Sequence, residues 1–253
     1  MLFRSNLTLT DSVFSATAGS GVGSDATIDA SAGTRLTLNA SAESASDLLI
    51  IGTSDADNIT LGGGSDAVSL GGGNDYVDAS SISADSINLG ANDDTVAFVN
   101  ALDSLDAVLG GSGTDVLTYT DMSSLSGAEL DNVTDIERVV VSGTDINLTL
   151  TNTVFSETAG SGVGSDATID ASSGTRLTLN ASTESTSDLL IIGTSDTDNV
   201  TLGGGSDAVS LGDGNDYVNA TSASADSINL GAGADQVDFG SDMSSSDVVI
   251  GGS

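Results

Sequence analysis

The chain has 253 residues with no cysteine, histidine, proline or tryptophan, and its only basic residues are Arg4, Arg35, Arg138 and Arg176, against 32 aspartates and five glutamates. This excludes disulfides, Cys or His nucleophiles and bases, lysine Schiff bases and Cys/His zinc sites, and without thiols the redox compartment stays open. A formal charge of -33 repels nucleic acid and anionic membrane surfaces and suits a cation as partner; short carboxylates on turns fit a hard ion such as calcium.

Few aromatics (3%) would allow an acidic disordered chain, but the apolar residues are patterned in short strips, which argues for folding. The longest strongly apolar run, Leu48 to Ile51, is far below the roughly 20 residues a bilayer requires. MLFRSN carries no apolar leader segment. Internal repetition dominates instead. A shift of 141 positions lays Phe14–Ser112 on Phe155–Ser253 with about four positions in five identical. The second copy stops partway, so the sequence reads as a piece of a longer array.

In chain order, residues 1–12 read as the end of a preceding repeat and 13–51 as solenoid coils. Ile28-Asp29-Ala30-Ser31 and Leu38-Asn39-Ala40-Ser41 share a strip of apolar, Asx, Ala, Ser, repeated at Val77, with equivalents in the second copy at Ile169, Leu179 and, with Thr221 for serine, Val218. Alternation in Leu36-Thr37-Leu38 predicts a half-buried strand. Residues 52–98 are built on a period of nine. Residues 99–153 form a connector holding one further nonapeptide, Gly110–Thr118, and Leu125 to Val141 predicts a short helix and then a strand, with Glu137 and Arg138 placed for a local ion pair. Residues 154–192 and 193–239 repeat the coils and the nine-residue region, and 240–253 begin another connector.

Within 52–98 aspartate recurs at Asp57, Asp66, Asp75, Asp85 and Asp94, each followed two residues later by Ile59, Val68, Val77, Ile87 or Val96. The second copy has Asp198, Asp207, Asp216, Asp226 and Asp235 before Val200, Val209, Val218, Ile228 and Val237. Period nine is not helical, and Gly62 to Gly64 and Gly203 to Gly205 would each weaken a helix. It fits a glycine turn followed by a short strand whose middle residue faces an interior.

These units, and above all GGSGTDVLT at 110–118, match the nonapeptide GGxGxDxUx, where U is a large apolar residue. On that motif the chain resembles the RTX (repeat-in-toxin) proteins over residues 52–97, 110–118 and 193–238. The resemblance implies an all-β fold, a right-handed parallel β-roll or β-solenoid in tandem 141-residue repeats, with several calcium ions between stacked turns. Two nonapeptides make one coil in that family, so one edge would carry Asp57, Asp75 and Asp94 and the other Asp66 and Asp85. In the second copy Asp198, Asp216 and Asp235 would stand beside Asp207 and Asp226. The implied metal residues are these aspartates with Asp115 and the turn glycines Gly62, Gly64, Gly71, Gly73, Gly111, Gly113, Gly203, Gly205, Gly212 and Gly214. Ala79–Asn88 lacks the glycines and carries an extra residue, so Asp85 and Asp226 are not carried over as full sites. Gly52–Thr60 departs too, with Thr53 and Asp55 where glycine is expected.

The resulting expectation is a non-enzymatic, calcium-binding structural module of a secreted or cell-surface bacterial assembly: a surface layer, filament or adhesin shaft that folds on meeting external calcium and associates with further copies of itself. It would neither bind nucleic acid nor insert in a membrane. The alternatives are the calcium-triggered folding and secretion region of an RTX toxin or hydrolase, and a glycan- or ice-binding adhesin segment using threonines such as Thr8, Thr10, Thr37, Thr149 and Thr151. Serines are abundant, but no histidine or lysine could activate them.

Overall fold

The structure, a computed structural model, describes residues 4–10, 25–121, 125–152, 154–155, 166–222 and 224–252. The stretches 11–24 and 156–165, which open the coil segments read from the sequence at 13–51 and 154–192, lie outside the described residues. The chain runs β1 (Arg4–Thr10), β2 (Ala26–Asp29), β3 (Arg35–Ala42), β4 (Leu48–Ile51), β5 (Asn58–Thr60), β6 (Ala67–Ser69), β7 (Tyr76–Asp78), β8 (Ser86–Ala91), β9 (Thr95–Val99), β10 (Ala107–Ser112) and β11 (Val116–Thr120). Helix α1 (Gly127–Leu130) follows, then β12 (Val133–Thr134), β13 (Arg138–Val141), β14 (Ile146–Thr149), β15 (Ala167–Asp170), β16 (Leu177–Asn180) and β17 (Leu189–Ile192). The last strands are β18 (Asn199–Thr201), β19 (Ala208–Ser210), β20 (Tyr217–Asn219), β21 (Ser227–Asn229), β22 (Gln236–Asp238) and β23 (Val248–Ile250).

Contacts divide the chain into two compact units, residues 1–118 with 132–136, and 119–131 with 137–253. In the first, alternate strands fall into two parallel sheets, β1-β3-β5-β7-β9-β11 and β2-β4-β6-β8-β10-β12. In the second the sheets are β13-β15-β17-β19-β21-β23 and β14-β16-β18-β20-β22. A strand therefore pairs with the strand two elements further on, and each pair of strands with its two turns makes one coil. The fold is all-β, a parallel β-solenoid built of tandem repeats, and the second unit reproduces several strand limits of the first: Asn58–Thr60 returns as Asn199–Thr201 and Ala67–Ser69 as Ala208–Ser210. Among the described residues no helix is long and apolar enough to cross a membrane.

Register explains the period of nine. In β5, β6 and β7 only the middle residue points inward, and pairing stacks identical positions: Leu38 on Ile59, Ile59 on Val77, Val77 on Val96. On the opposite sheet Ile50, Val68, Ile87 and Val108 form the facing row. The second unit has Leu179, Val200, Val218 and Val237 facing Ile169, Ile191, Val209 and Ile228. Leu61, Leu70, Leu202 and Leu211, standing where the nonapeptide pattern has its first glycine, are buried as well. Alternation returns the chain to the interior two residues after each middle residue, so every coil contributes two core side chains per strand, each stabilising by about 1.5–3 kcal/mol. The second copy already holds Val200 in place of Ile59. Ile59→Val is accordingly expected to cost about 0.5–1.5 kcal/mol, read as a small fall in thermal midpoint with an unchanged far-ultraviolet spectrum.

The strips of apolar, Asx, Ala, Ser prove to be corners. Asp29 Oδ1 accepts the backbone N–H of Ser31 at 3.0 Å and its hydroxyl at 2.6 Å; Asn39 with Ser41, and Asp170 with Ser172, repeat the arrangement. An Asx side chain bonding two residues on is a turn that needs no glycine, and at Asp29 and Asp170 it ends the strand. The helix read within Leu125 to Val141 is the single turn α1, in which Glu129 accepts hydrogen bonds from the backbone N–H and hydroxyl of the preceding Ser126. Arg138 reaches Asp170 on the neighbouring β15 at 2.6 Å, an exposed pair of small energetic value.

Candidate metal centre

Aspartate two residues before an inward apolar residue must itself point inward, because side chains two apart along an extended chain share a face. The repeat thus drives carboxylates into the wall of the solenoid at the turn-to-strand junction. Asp57, Asp66, Asp75, Asp85, Asp94 and Asp115 are buried in the first unit, and Asp198, Asp207, Asp216 and Asp226 in the second, with Asp66, Asp115, Asp198 and Asp207 fully enclosed; Asp235 is half-buried.

These carboxylates form ladders. Asp75 Oδ1 accepts the backbone N–H of Asp57 at 2.7 Å, Asp94 that of Asp75 at 2.7 Å, and Asp115 that of Asp94 at 2.9 Å. On the other edge Asp66 takes Leu48 N–H, and Asp85 takes Asp66 N–H, both at 2.9 Å. The second unit repeats both rows, Leu177 to Asp198 to Asp216 to Asp235 and Leu189 to Asp207 to Asp226, at 2.8–3.1 Å. Alternate nonapeptides thus share an edge, with partners 18–21 residues apart.

One oxygen of each rung is spent in this way, and the other separates the aspartates into kinds. Asp57 has both filled, since the Thr53 N–H and hydroxyl bond its carboxylate at 2.7 and 2.9 Å; Thr194 does the same for Asp198. Threonine in place of glycine makes these two opening rungs self-sufficient. Asp85 Oδ2 is approached by the Ser83 hydroxyl at 3.2 Å. By contrast Oδ2 of Asp66, Asp75, Asp94, Asp207, Asp216 and Asp226 is buried without a hydrogen-bond partner. Burial pushes the Asp66 and Asp207 carboxyls up to about 8, reinforced by repulsion from neighbouring carboxylates. Burial likewise lifts Asp85 and Asp94 to about 7, and Asp75 and Asp216 to about 6. A buried, ionised carboxylate with an open oxygen requires a positive partner, a proton at low pH or a cation otherwise.

Backbone oxygen is abundant beside these rows. At Gly62, Gly64, Gly71, Gly73, Gly111 and Gly113, and at Gly203, Gly205, Gly212 and Gly214, a Cβ would lie under 3.0 Å from a carbonyl oxygen of the adjacent turn. Gly64 and Gly73 also hold φ of 95° and 110°, which disfavours any side chain. The donor set is oxygen alone, carboxylate and carbonyl, which fits a hard divalent ion and not a soft metal. Among the described residues no group of three or more acidic side chains converges into a cage. An ion here would be held by one or two carboxylates, from Asp66, Asp75, Asp94, Asp207 or Asp216, with carbonyls of the stacked turns supplying the rest.

Several members of these rows escaped the nonapeptide reading. Asp106 accepts Asp85 N–H at 2.9 Å and Asp247 accepts Asp226 N–H at 3.1 Å. Both stand two residues before a valine, Val108 and Val249, so the Asp-x-apolar spacing without its glycines would have found them. Asp85 and Asp226, on the glycine-free unit, take full places in the ladder. Glu43 and Glu184 are also buried beside it, and the nonapeptide pattern does not signal them.

These coils define the molecule as a tandem-repeat β-solenoid with acidic ladders in its wall. No known protein family, curated protein or solved structure matches the chain.

Proposed function

We propose that this chain is a non-enzymatic, calcium-binding structural module of a secreted or cell-surface assembly, a shaft, filament or lattice element whose coils order when external calcium fills the turns. The observation that carries this reading is the file of buried carboxylate oxygens without hydrogen-bond partners along Asp66, Asp75, Asp94, Asp207 and Asp216. A chain of net charge -33 cannot keep such groups ionised and enclosed without counter-charge. Divalent ions supply that charge and bridge successive coils, so metal binding and folding become one equilibrium. Extracellular calcium modules work at about 10⁻⁴–10⁻³ M, a concentration that leaves them empty inside a cell and filled outside. The same coupling suits passage across a membrane as an unfolded chain, and tandem copies suit association with further copies of the chain.

Far-ultraviolet circular dichroism in EGTA and then in millimolar calcium tests the reading. A disordered spectrum converting to a β spectrum is expected, with magnesium at equal concentration far less effective. A β spectrum indifferent to the chelator would overturn it.

A further inference from the structure

The loop between β3 and β4 contains no nonapeptide, yet it places a carboxylate against the ladder. Glu43 is 3% exposed; its Oε1 accepts the backbone N–H groups of Ala45 and Ser46 at 2.9 and 2.7 Å, while Oε2 is buried without a partner. In the second unit Glu184 is 1% exposed, accepts Thr186 and Ser187 N–H at 2.9 and 2.7 Å, and likewise leaves Oε2 open. The open oxygen is not needed to shape the loop, because Oε1 alone caps it.

The loop that carries this oxygen lies on a glycine turn that leads to an aspartate. The Glu43 carbonyl accepts Gly63 N–H at 2.9 Å, as Glu184 accepts Gly204 N–H at 2.9 Å. A Cβ on Gly63 would lie under 3.0 Å from the Ser44 carbonyl, and one on Gly204 the same from Ser185. This explains why the variable third position of the nonapeptide is glycine here in both copies, whereas the equivalent place one turn on is Gly72 in one copy and Asp213 in the other. The turn so covered leads to Asp66, whose Oδ2 is the other open oxygen, and the Glu43 charge lies near enough to raise the Asp66 carboxyl. Asp207 and Glu184 stand in the same relation.

We infer that Glu43 with Asp66, and Glu184 with Asp207, each bind one calcium ion where a loop without the nonapeptide pattern meets the first glycine turn of its row. This rests on the calcium reading above and adds to it a ligand from outside the repeat. Glutamate serves where aspartate would not: its additional methylene lets one carboxylate cap its own loop and still present its second oxygen to the turn. The ion would fasten the plain coils to the coils that bind calcium, in each copy independently.

The test counts ions bound at saturating free calcium by equilibrium dialysis, on the whole chain. Glu43→Gln and Glu184→Gln retain an amide oxygen for the loop N–H groups and remove the charge. Each single variant is expected to bind one ion fewer than the unaltered chain and the double variant two fewer, while Asp47→Asn, a neighbouring carboxylate that accepts Ser65 N–H, loses none. Unchanged counts in the glutamine variants, with calcium still bound by the unaltered chain, overturn this inference alone; an unaltered chain that binds no calcium overturns the reading beneath it. Should the variants fail to order, isotope-edited infrared spectra of unaltered protein carrying ¹³C-carboxyl glutamate decide. Displacement of the glutamate carboxylate band by calcium is expected, and an unmoved band is fatal.

Discussion

Protein stripped of calcium is expected to regain its β spectrum when taken from about pH 8 to about pH 4, acid standing in for the metal. The ladder carboxyls are held by burial at about 6 to 8 in the folded chain, against 3.8 ordinarily. Below about pH 4 folded and unfolded chains are both protonated, and this contribution is fully present. As pH rises past that point the unfolded chain releases its protons while the folded chain retains them. The folded state then binds more protons, stability falls with pH, and the contribution is lost as pH passes through 6 to 8. This is opposite in sign to ordinary acid denaturation, where ionised carboxylates stabilise. With calcium in excess the trend reverses, since ions need the deprotonated groups, and affinity should climb over the same interval. A combined Asp66→Asn, Asp75→Asn, Asp207→Asn, Asp216→Asn variant keeps the oxygen that accepts each rung N–H and removes the charge. It should order without metal at a higher pH than the unaltered chain. Calcium-free protein equally disordered at both pH values would contradict the assignment of these carboxyls to an enclosed wall.

Gly63→Ala and Gly72→Ala are expected to differ sharply, though both change the middle residue of a triple-glycine turn. A Cβ at Gly72 meets its nearest atom, the Ser54 carbonyl oxygen, at 3.7 Å, ordinary contact, and the backbone there is not left-handed. Alanine at that position should be neutral or stabilise by about 0.4–1 kcal/mol through the unfolded chain. At Gly63 the same atom would press on the Ser44 carbonyl, part of a backbone held by Glu43 and Ser46. Backbone cannot rotate away as a side chain can, so the cost should reach the upper end of the about 1–3 kcal/mol seen for overpacking. Thermal unfolding in saturating calcium measures both; equal midpoints for the two variants would remove the loop from its place on the turn.

The coils were legible in the sequence because their causes are local. A period of nine with an apolar residue two places after each aspartate dictates alternation, and alternation dictates both the core rows of Val68 and Val77 and the inward carboxylates of Asp66 and Asp75. The ladder at Asp85 and Asp106 was harder to see, since glycine marks the turn and not the rung: Ser83 can shape a turn and satisfy a carboxylate without it. The buried role of Leu61 and Leu70 was hidden because they occupy a place the motif assigns to glycine. Glu43 was invisible for another reason. Its position depends on a loop lying against a turn some twenty residues away, a contact that spacing along the chain does not encode.

The rungs all lean one way. Each ladder aspartate bonds an amide of the coil before it, so a rung is completed only by chain that follows it, while Asp47, Asp93 and Asp188 at the turns reach amides of the coil after. Order therefore has a direction. Growth by addition at the carboxyl-terminal side satisfies one waiting amide with every coil laid down, whereas addition at the amino-terminal side offers a bare amide to a carboxylate already in place. A chain threaded through a narrow exit would wind differently according to which terminus emerged first, and a pulling force applied at the two ends would find them unequal.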